Sequence, residues 1–404
     1  GEKINIRWEG EFRLSDDEKD IVWMADGATL SISDGLILAS RAELRGIGDG
    51  RIERTYRKNG LRRDWEPEGR IFLAGALDRM IRNSGMFARD RVARFLKQGG
   101  PDAVLAEIDR LHQSSYVRRI YYTELARQAD LSEALLTKIL QRVPNDITSD
   151  YDKSTLFTQL AKLPAIRESH RVQIARAVQS ISSDFDQRRA LTAVMDVRPL
   201  PAAVAGAVLE ATASIASNHD RSLVLTDVAE RGGLTASTSS AFMTQVRSMS
   251  SSHDQRRVLT AVTASGTLPE AVAVDAIKST GSMTSSHDRT ETLMKMIERG
   301  ALTDASLDAF FQSVGAISSS HDMQRVLRRV VDLPSLSGQT LEAVLKTAPR
   351  ISSGHDRANL LEAVAARVKV DGTARELYVA AARGLGPFDE NRALAALVRS
   401  EVKR

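Results

Sequence analysis

The chain has 404 residues, 42% hydrophobic and 27% charged, with no cysteine and a net charge of +4 from 56 basic and 52 acidic side chains. This composition is ordinary for a folded protein. It excludes disulfides, thiolate metal sites and cysteine nucleophiles, and its near balance of charge argues against a nucleic-acid groove, which needs a clustered basic surplus. No apolar run approaches the roughly 18 residues that span a bilayer. The start at Gly1 rather than Met is compatible with a leader or membrane anchor removed ahead of it.

Residues 1–66 read as a β-meander domain. Asp26-Gly27, Asp34-Gly35, Asp49-Gly50 and Asn59-Gly60 supply the positive φ angles of tight hairpin turns. Strand-like runs lie between them, as at residues 4–8 and 51–56. In the second run Ile52 and Arg54 share one face and Glu53 and Thr55 the other, so polarity does not alternate cleanly. One face of the meander is expected against the first helices.

Residues 67–145 read as a helical adaptor with degenerate first repeats. Ile71, Leu73, Leu77, Met80 and Ile81 mark one amphipathic helix. A second runs from about Ala88 to Leu96 and ends at Gly99-Gly100. Pro101 opens a third with Val104, Leu105, Ile108 and Leu111.

From 146 to 404 the chain copies itself. Asp152, Asp186, Asp220, Asp254, Asp288, Asp322 and Asp356 are spaced by 34 residues without an insertion, and a period of this length marks stacked supersecondary units. With each Asp as position 0, position −3 is Ser149, Ser183, Ser217, Ser251, Ser285, Ser319 and Ser353. Ser-x-x-Asp is a variant capping box: the serine oxygen accepts a free amide of the first turn and the carboxylate reaches back towards the positive helix end. Positions +4, +5 and +8 form an apolar stripe, including Leu191 and Val194, Leu225 and Val228, and Leu327 and Val330. Position +14 is apolar throughout: Ile166, Leu200, Leu234, Leu268, Leu302, Leu336 and Val370. A second helix follows, often opened by Pro, Thr, Ser or Asp. It carries pairs such as Val208-Leu209 and Phe242-Met243 and ends near an apolar +29 residue such as Ile215 or Met283. Ser115-Tyr116-Val117-Arg118, with Tyr122 and Leu125, forms a degenerate unit before the array. Phe388-Asp389 forms another after it, with Gly386 in the place of the capping serine. One helix pair cannot bury both of its faces, so pairs must stack. The expected fold is α+β: mainly an α-solenoid of 34-residue helix-pair repeats, with a small N-terminal antiparallel β domain and a C-terminal cap.

Position −1 holds Tyr151, Phe185, His219, His253, His287, His321 and His355, five of the seven histidines. The first reading is a flat ring packed near each helix start. The second is a ligand-contacting or pH-responsive ladder whose imidazoles gain charge together between about pH 5 and 7. Geometry argues against metal: adjacent units lie roughly 10 Å apart, whereas zinc ligands converge at about 2 Å from one ion, and Phe185 in the same column cannot ligate. Arg188-Arg189, Arg221, Arg256-Arg257, Arg289, Arg325 and Arg357 read first as a solvated face with ion pairs and second as an arginine row for an acidic partner. No phosphate loop, serine elbow or paired-carboxylate motif occurs, so no catalytic residue, cofactor or metal is assigned.

The repeat length resembles that of tetratricopeptide and HEAT-like α-solenoids in architecture, without the Trp-Leu-Gly-Tyr signature. Residues 45–125 resemble extracytoplasmic regions of bacterial β-lactam-sensor-type membrane metallopeptidases, through the stretches at 50–56 and 99–108. Their zinc motif His-Glu-x-x-His does not occur here, so no peptidase activity follows. The resemblance implies a bacterial, periplasmic, sensor-like segment. The leading expectation is a non-catalytic scaffold whose partner is a protein or peptide, with no nucleic acid. The alternatives are a self-assembling structural repeat and an enzyme with a polar pocket at the junction of the β domain and the solenoid, near Arg62, Arg63 and Asp64.

Overall fold

The computed structural model describes residues 4–35, 40–111, 114–264 and 269–402. They form two compact units, Gly1–Leu160 and Ala161–Arg404. Antiparallel strands come first and helices fill the rest, an α+β fold that is mostly helical.

The first unit opens with β1 (Asn5–Glu9), β2 (Phe12–Leu14), β3 (Ile21–Met24), β4 (Thr29–Ser33), β5 (Ser40–Gly46), β6 (Ile52–Lys58) and β7 (Leu61–Arg63). Five strands pair antiparallel in the order β1-β4-β5-β6-β7, while β2 and β3 form a separate ribbon. A simple meander is therefore corrected in one respect: Asp26-Gly27 joins β3 to β4, which lie in different sheets. Asn59 (φ 56) and Gly60 (φ 78) both take the positive φ of a type I′ turn and close the β6–β7 hairpin. The β4–β5 connection includes residues 36–39, outside the described residues.

The inner face of the sheet buries Leu30, Ile32, Ala42 and Leu44 against Leu73, Leu77, Met80 and Ile81 of α1 (Arg70–Ser84). Ile71 lies on the opposite side of α1 and is exposed, so it does not belong to the core stripe. The irregular polarity of β6 has a physical cause. Arg54 is on the inner side with Ile52 and Tyr56, and donates to the Ile21 carbonyl at 2.8 Å while facing Asp20. A buried polar group is tolerated once it is hydrogen-bonded.

Next come α2 (Ala88–Arg110), α3 (Ser115–Gln128), α4 (Glu133–Asp146) and α5 (Asp150–Ala161). Gly99 and Gly100 break α2 internally, with Gly100 at φ 65, and Pro101 restarts the helix. Val104, Leu105, Ile108 and Leu111 are buried beyond the break. Ser114, not Ser115, caps α3 by accepting from the Val117 N–H at 3.2 Å. The degenerate unit thus runs one residue out of the expected register, with Val117 at position 0. Tyr122 and Leu125 then fall at +5 and +8, both fully buried.

In the second unit the first helices of the repeats are α7 (Asp184–Val194), α9 (Asn218–Glu230), α11 (Ser252–Ala264), α13 (Ser286–Glu298), α15 (Ser320–Val331), α17 (Gly354–Arg367) and α19 (Pro387–Val402). The second helices are α6 (Glu168–Ala177), α8 (Ala202–Thr212), α10 (Ser239–Ser248), α12 (Glu270–Thr280), α14 (Leu307–Gly315), α16 (Gly338–Thr347) and α18 (Gly372–Ala382). Each first helix packs on the next first helix and each second helix on the next second helix, giving two rows. This is the helix-pair solenoid.

Along the rows +5 and +8 are buried in every repeat from Leu191 and Val194 to Leu361 and Val364, and within the first unit Phe157 and Leu160 are buried as well. Each such side chain contributes on the order of 1.5–3 kcal/mol. Position +14 is less enclosed. Leu200 and Val370 are buried, whereas Ile166, Leu234, Leu302 and Leu336 are half-buried because they sit in the turns between helices. Leu268 lies outside the described residues. Two of these turns share one device. Gly232 and Gly300 take φ 77 and 73, and the following amides reach back to Val228 and Met296, the 6→1 bond of a Schellman end.

Candidate functional site

The joint between repeats is built from the capping motif. Ser217, Ser251, Ser285, Ser319 and Ser353 each accept, through Oγ, from the backbone N–H of Asp220, Asp254, Asp288, Asp322 and Asp356 at 3.2 Å. Such a cap contributes about 1 kcal/mol. The aspartate carboxylates do not turn back onto the cap amide. At three caps that amide is taken by the residue at −2 of the preceding repeat: Asp184 accepts from Ser217 N–H at 2.8 Å, Ser252 from Ser285 at 3.1 Å and Ser320 from Ser353 at 3.2 Å. The carboxylates of Asp186, Asp220, Asp254, Asp288 and Asp322 instead meet arginines. Arg188 donates to Asp220 at 2.7 Å, Arg256 lies 3.1 Å from Asp288, and Arg189, Arg257 and Arg325 pair with the Asp of their own repeat. The −2 acceptors, with Arg188 and Arg256, therefore tie neighbouring copies by polar contacts.

Position +1 faces inward and seals the end of the preceding second helix. Gln187 donates to Ile181 O, Gln255 to Met249 O, Arg221 to Ile215 O and Arg357 to Ile351 O. Arg289, only 6% exposed, donates to four carbonyls: Thr280, Gly281, Met283 and Ala316. Burial pulls the pKa of Arg221, Arg289 and Arg357 below the usual arginine value, yet a guanidinium stays charged. Consecutive repeats alternate: Arg at +1 in Arg221, Arg289 and Arg357, and Arg at +3 in Arg189, Arg257 and Arg325. The arginines singled out in sequence are thus committed to carbonyls and carboxylates within the stack.

The −1 column is different. The expectation of a packed ring is overturned: His219, His253, His287, His321 and His355 are all exposed, and Phe185 and Phe388 are 56% and 76% exposed. At 100° per residue, −1 lies roughly 170° from the mean direction of +4, +5 and +8, on the far side of the helix from the core. In the second unit these seven rings stand at equivalent places on seven helices that pack side by side. Guanidinium groups lie beside them. The Arg188 carbon is 5.0 Å from the Phe185 ring centre and Arg392 is 5.8 Å from that of Phe388. Arg257 approaches His219 Nδ1 and Arg256 approaches His253 Nδ1, each at 3.2 Å. The first unit repeats the pattern, with Arg119 at 5.1 Å over the exposed Tyr116. Among the described residues no three His, Asp or Glu side chains converge as a metal site would require.

Sequence reasoning missed a second polar feature, within the first unit. A cleft of about 570 Å³ is lined by Gly75, Asp78, Arg82, Arg94, Phe95 and Arg110. At its wall Arg91, 3% exposed, grips Glu18 at 2.6 and 2.9 Å, meets Glu107 at 2.9 Å and donates to the Tyr121 hydroxyl. Glu18 takes a positive φ of 63 to reach it, a conformation that costs on the order of 1 kcal/mol for a side-chain-bearing residue. Burial disfavours the Glu18 carboxylate, but hydrogen bonds from Arg91 and Arg94 outweigh it and hold the carboxyl below its usual range. The same burial raises the Tyr121 hydroxyl. Glu18 and Arg91 lie 73 residues apart in the chain, so no local motif announces them. Arg62, Arg63 and Asp64 are exposed at the end of β7 and do not line this cleft.

No helix among the described residues is long and apolar enough to cross a membrane. No protein-family model matches the chain, and no curated protein matches it. Among solved structures, a chain from work on the computational design of self-assembling cyclic protein homo-oligomers is 12% identical, with 78% of this chain and 98% of that chain covered and a TM-score of 0.12. A TM-score that low carries nothing over to this protein.

Proposed function

We propose that the protein is a non-catalytic scaffold that holds a protein or peptide along the exposed ring edge of its repeats, as the extracytoplasmic sensor segment of a bacterial signalling protein. One observation carries the reading. Seven rings, Phe185 to Phe388, recur on the outward side of seven stacked helices while the core stripe of the same helices is sealed. Phe185 and Phe388, each beside an arginine, are of the composition enriched at the cores of protein interfaces, and the five imidazoles between them offer both a flat face and a hydrogen-bonding nitrogen. Rings set one repeat apart can be reached together by an extended partner. The sensor assignment rests on the resemblance at residues 45–125.

Replacing His253, His287 and His321 together by alanine tests it. These side chains are exposed, so stability should shift by no more than about 0.5 kcal/mol for each. A partner retained by the wild type in affinity capture from bacterial envelope extracts should be lost by the variant. Equal retention by both proteins would contradict the reading.

A further inference from the structure

The β6–β7 hairpin gathers charge that the linear sequence spreads out. Strand register sets Arg57 directly opposite Arg62 on one side and Arg41 on the other, and all three side chains are exposed on the outer face of the sheet. Like charges directly opposite one another destabilise a sheet. Among the described residues, Arg41 alone of the three has a carboxylate within reach, Glu43 at 3.7 Å. On the other face of the same ribbon stand Lys58, 3.3 Å from Glu68, and Arg63. Between them, next to the Asn59-Gly60 turn, Leu61 is 63% exposed.

We propose that this hairpin tip docks on a surface of anionic lipid headgroups. The tip carries one apolar side chain with cations on both faces of a two-stranded ribbon. A rigid protein surface could meet only one of those faces. A headgroup layer that the tip enters meets both, receives Leu61, and lets the long basic side chains reach outward to phosphates. Arginine suits that role because its planar fork binds a phosphate through two hydrogen bonds. The proposal is independent of the ring edge.

The test is co-sedimentation of the full chain with phospholipid vesicles. Binding is expected to vesicles containing phosphatidylglycerol and not to phosphatidylcholine alone, and to disappear at about 0.5 M salt. Each basic side chain near such a surface strengthens binding about fivefold. Arg57→Glu with Arg62→Glu should therefore weaken binding at least about 20-fold. Leu61→Asp should weaken it too, while Arg57→Lys with Arg62→Lys, which keeps both charges and loses only the fork, should keep most of it and share the wild-type unfolding midpoint. Four results would each overturn the proposal: no binding to anionic vesicles, unchanged binding by the double glutamate variant, indifference to Leu61→Asp as for a purely acidic protein partner, or displacement by inorganic phosphate at matched ionic strength.

Discussion

Arg91→Ala is expected to destabilise the first unit by about 3–5 kcal/mol, because it removes the buried cation that Glu18 and Glu107 share. Glu107, 2% exposed, would keep only Arg110 at 3.5 Å and Arg82 at 3.9 Å. Glu18 would lose its bidentate contact and keep Arg94 alone. The effect has a signed pH dependence. The folded pKa of Glu18 is depressed, so its contribution is present above the ordinary carboxyl value and is lost as pH falls through the folded value. In the variant Glu18 lacks that cation, so less of this pH-dependent contribution is there to be lost. The gap between wild type and variant should be widest near neutrality and narrow below about pH 4.5. Tryptophan fluorescence reads this unit alone, since all three tryptophans, Trp8, Trp23 and Trp65, lie in it. A pH-independent gap, or a loss under 1 kcal/mol, would show that the cluster contributes little.

Arg289→Met should be the costliest single change at a repeat joint, about 3 kcal/mol. It removes the one charged donor shared by four carbonyls: Met283 O loses its donor in a buried site, while Thr280 O keeps the Met283 N–H at 3.1 Å and Gly281 and Ala316 lie at exposed residues, and a buried polar group left unsatisfied costs its desolvation. Methionine at the equivalent position is tolerated at Met323, so volume is not the issue. Lysine cannot substitute fully, because a point charge does not reproduce a five-donor fork. Glutamine, the natural occupant at Gln187 and Gln255, should recover about half. Hydrogen exchange over α13 and α14 would localise the loss to the joint. Exchange protection equal to wild type there would contradict the assignment.

The serine caps and the buried stripe were legible because each is local, the cap spanning four residues and the stripe five, and the period because seven copies repeat it without an insertion. The outward direction of the −1 rings was legible as well, through the 100° step of the helix, but a ring beside a capping motif invites a packing explanation before that arithmetic is done. The destinations of the carboxylates were not legible. Asp220 and Asp288 meet arginines of the preceding repeat, and which of several arginines comes near depends on how far one helix slides along its neighbour. The same holds for the basic hairpin. Arg57 and Arg62 are close in sequence, but Arg41 joins them only through the register of β5 with β6. The one-residue slip at Ser114 arose because two adjacent serines can each fill the cap. Ser115 took the other role, accepting from Thr148 N–H at 3.0 Å as Asp184 and Ser252 accept in later repeats.

The central claim is that successive 34-residue copies stack side by side with their −1 rings on one edge. The chain contains no cysteine, so pairs of cysteines can be placed at His219, His253, His287 and His321 without background labelling. Spin-label distances measured from His219 should then lengthen with each repeat, to about 20 Å at His287 and about 30 Å at His321. Distances that stay constant or fail to grow with repeat number would contradict the stacked array and the binding edge built on it.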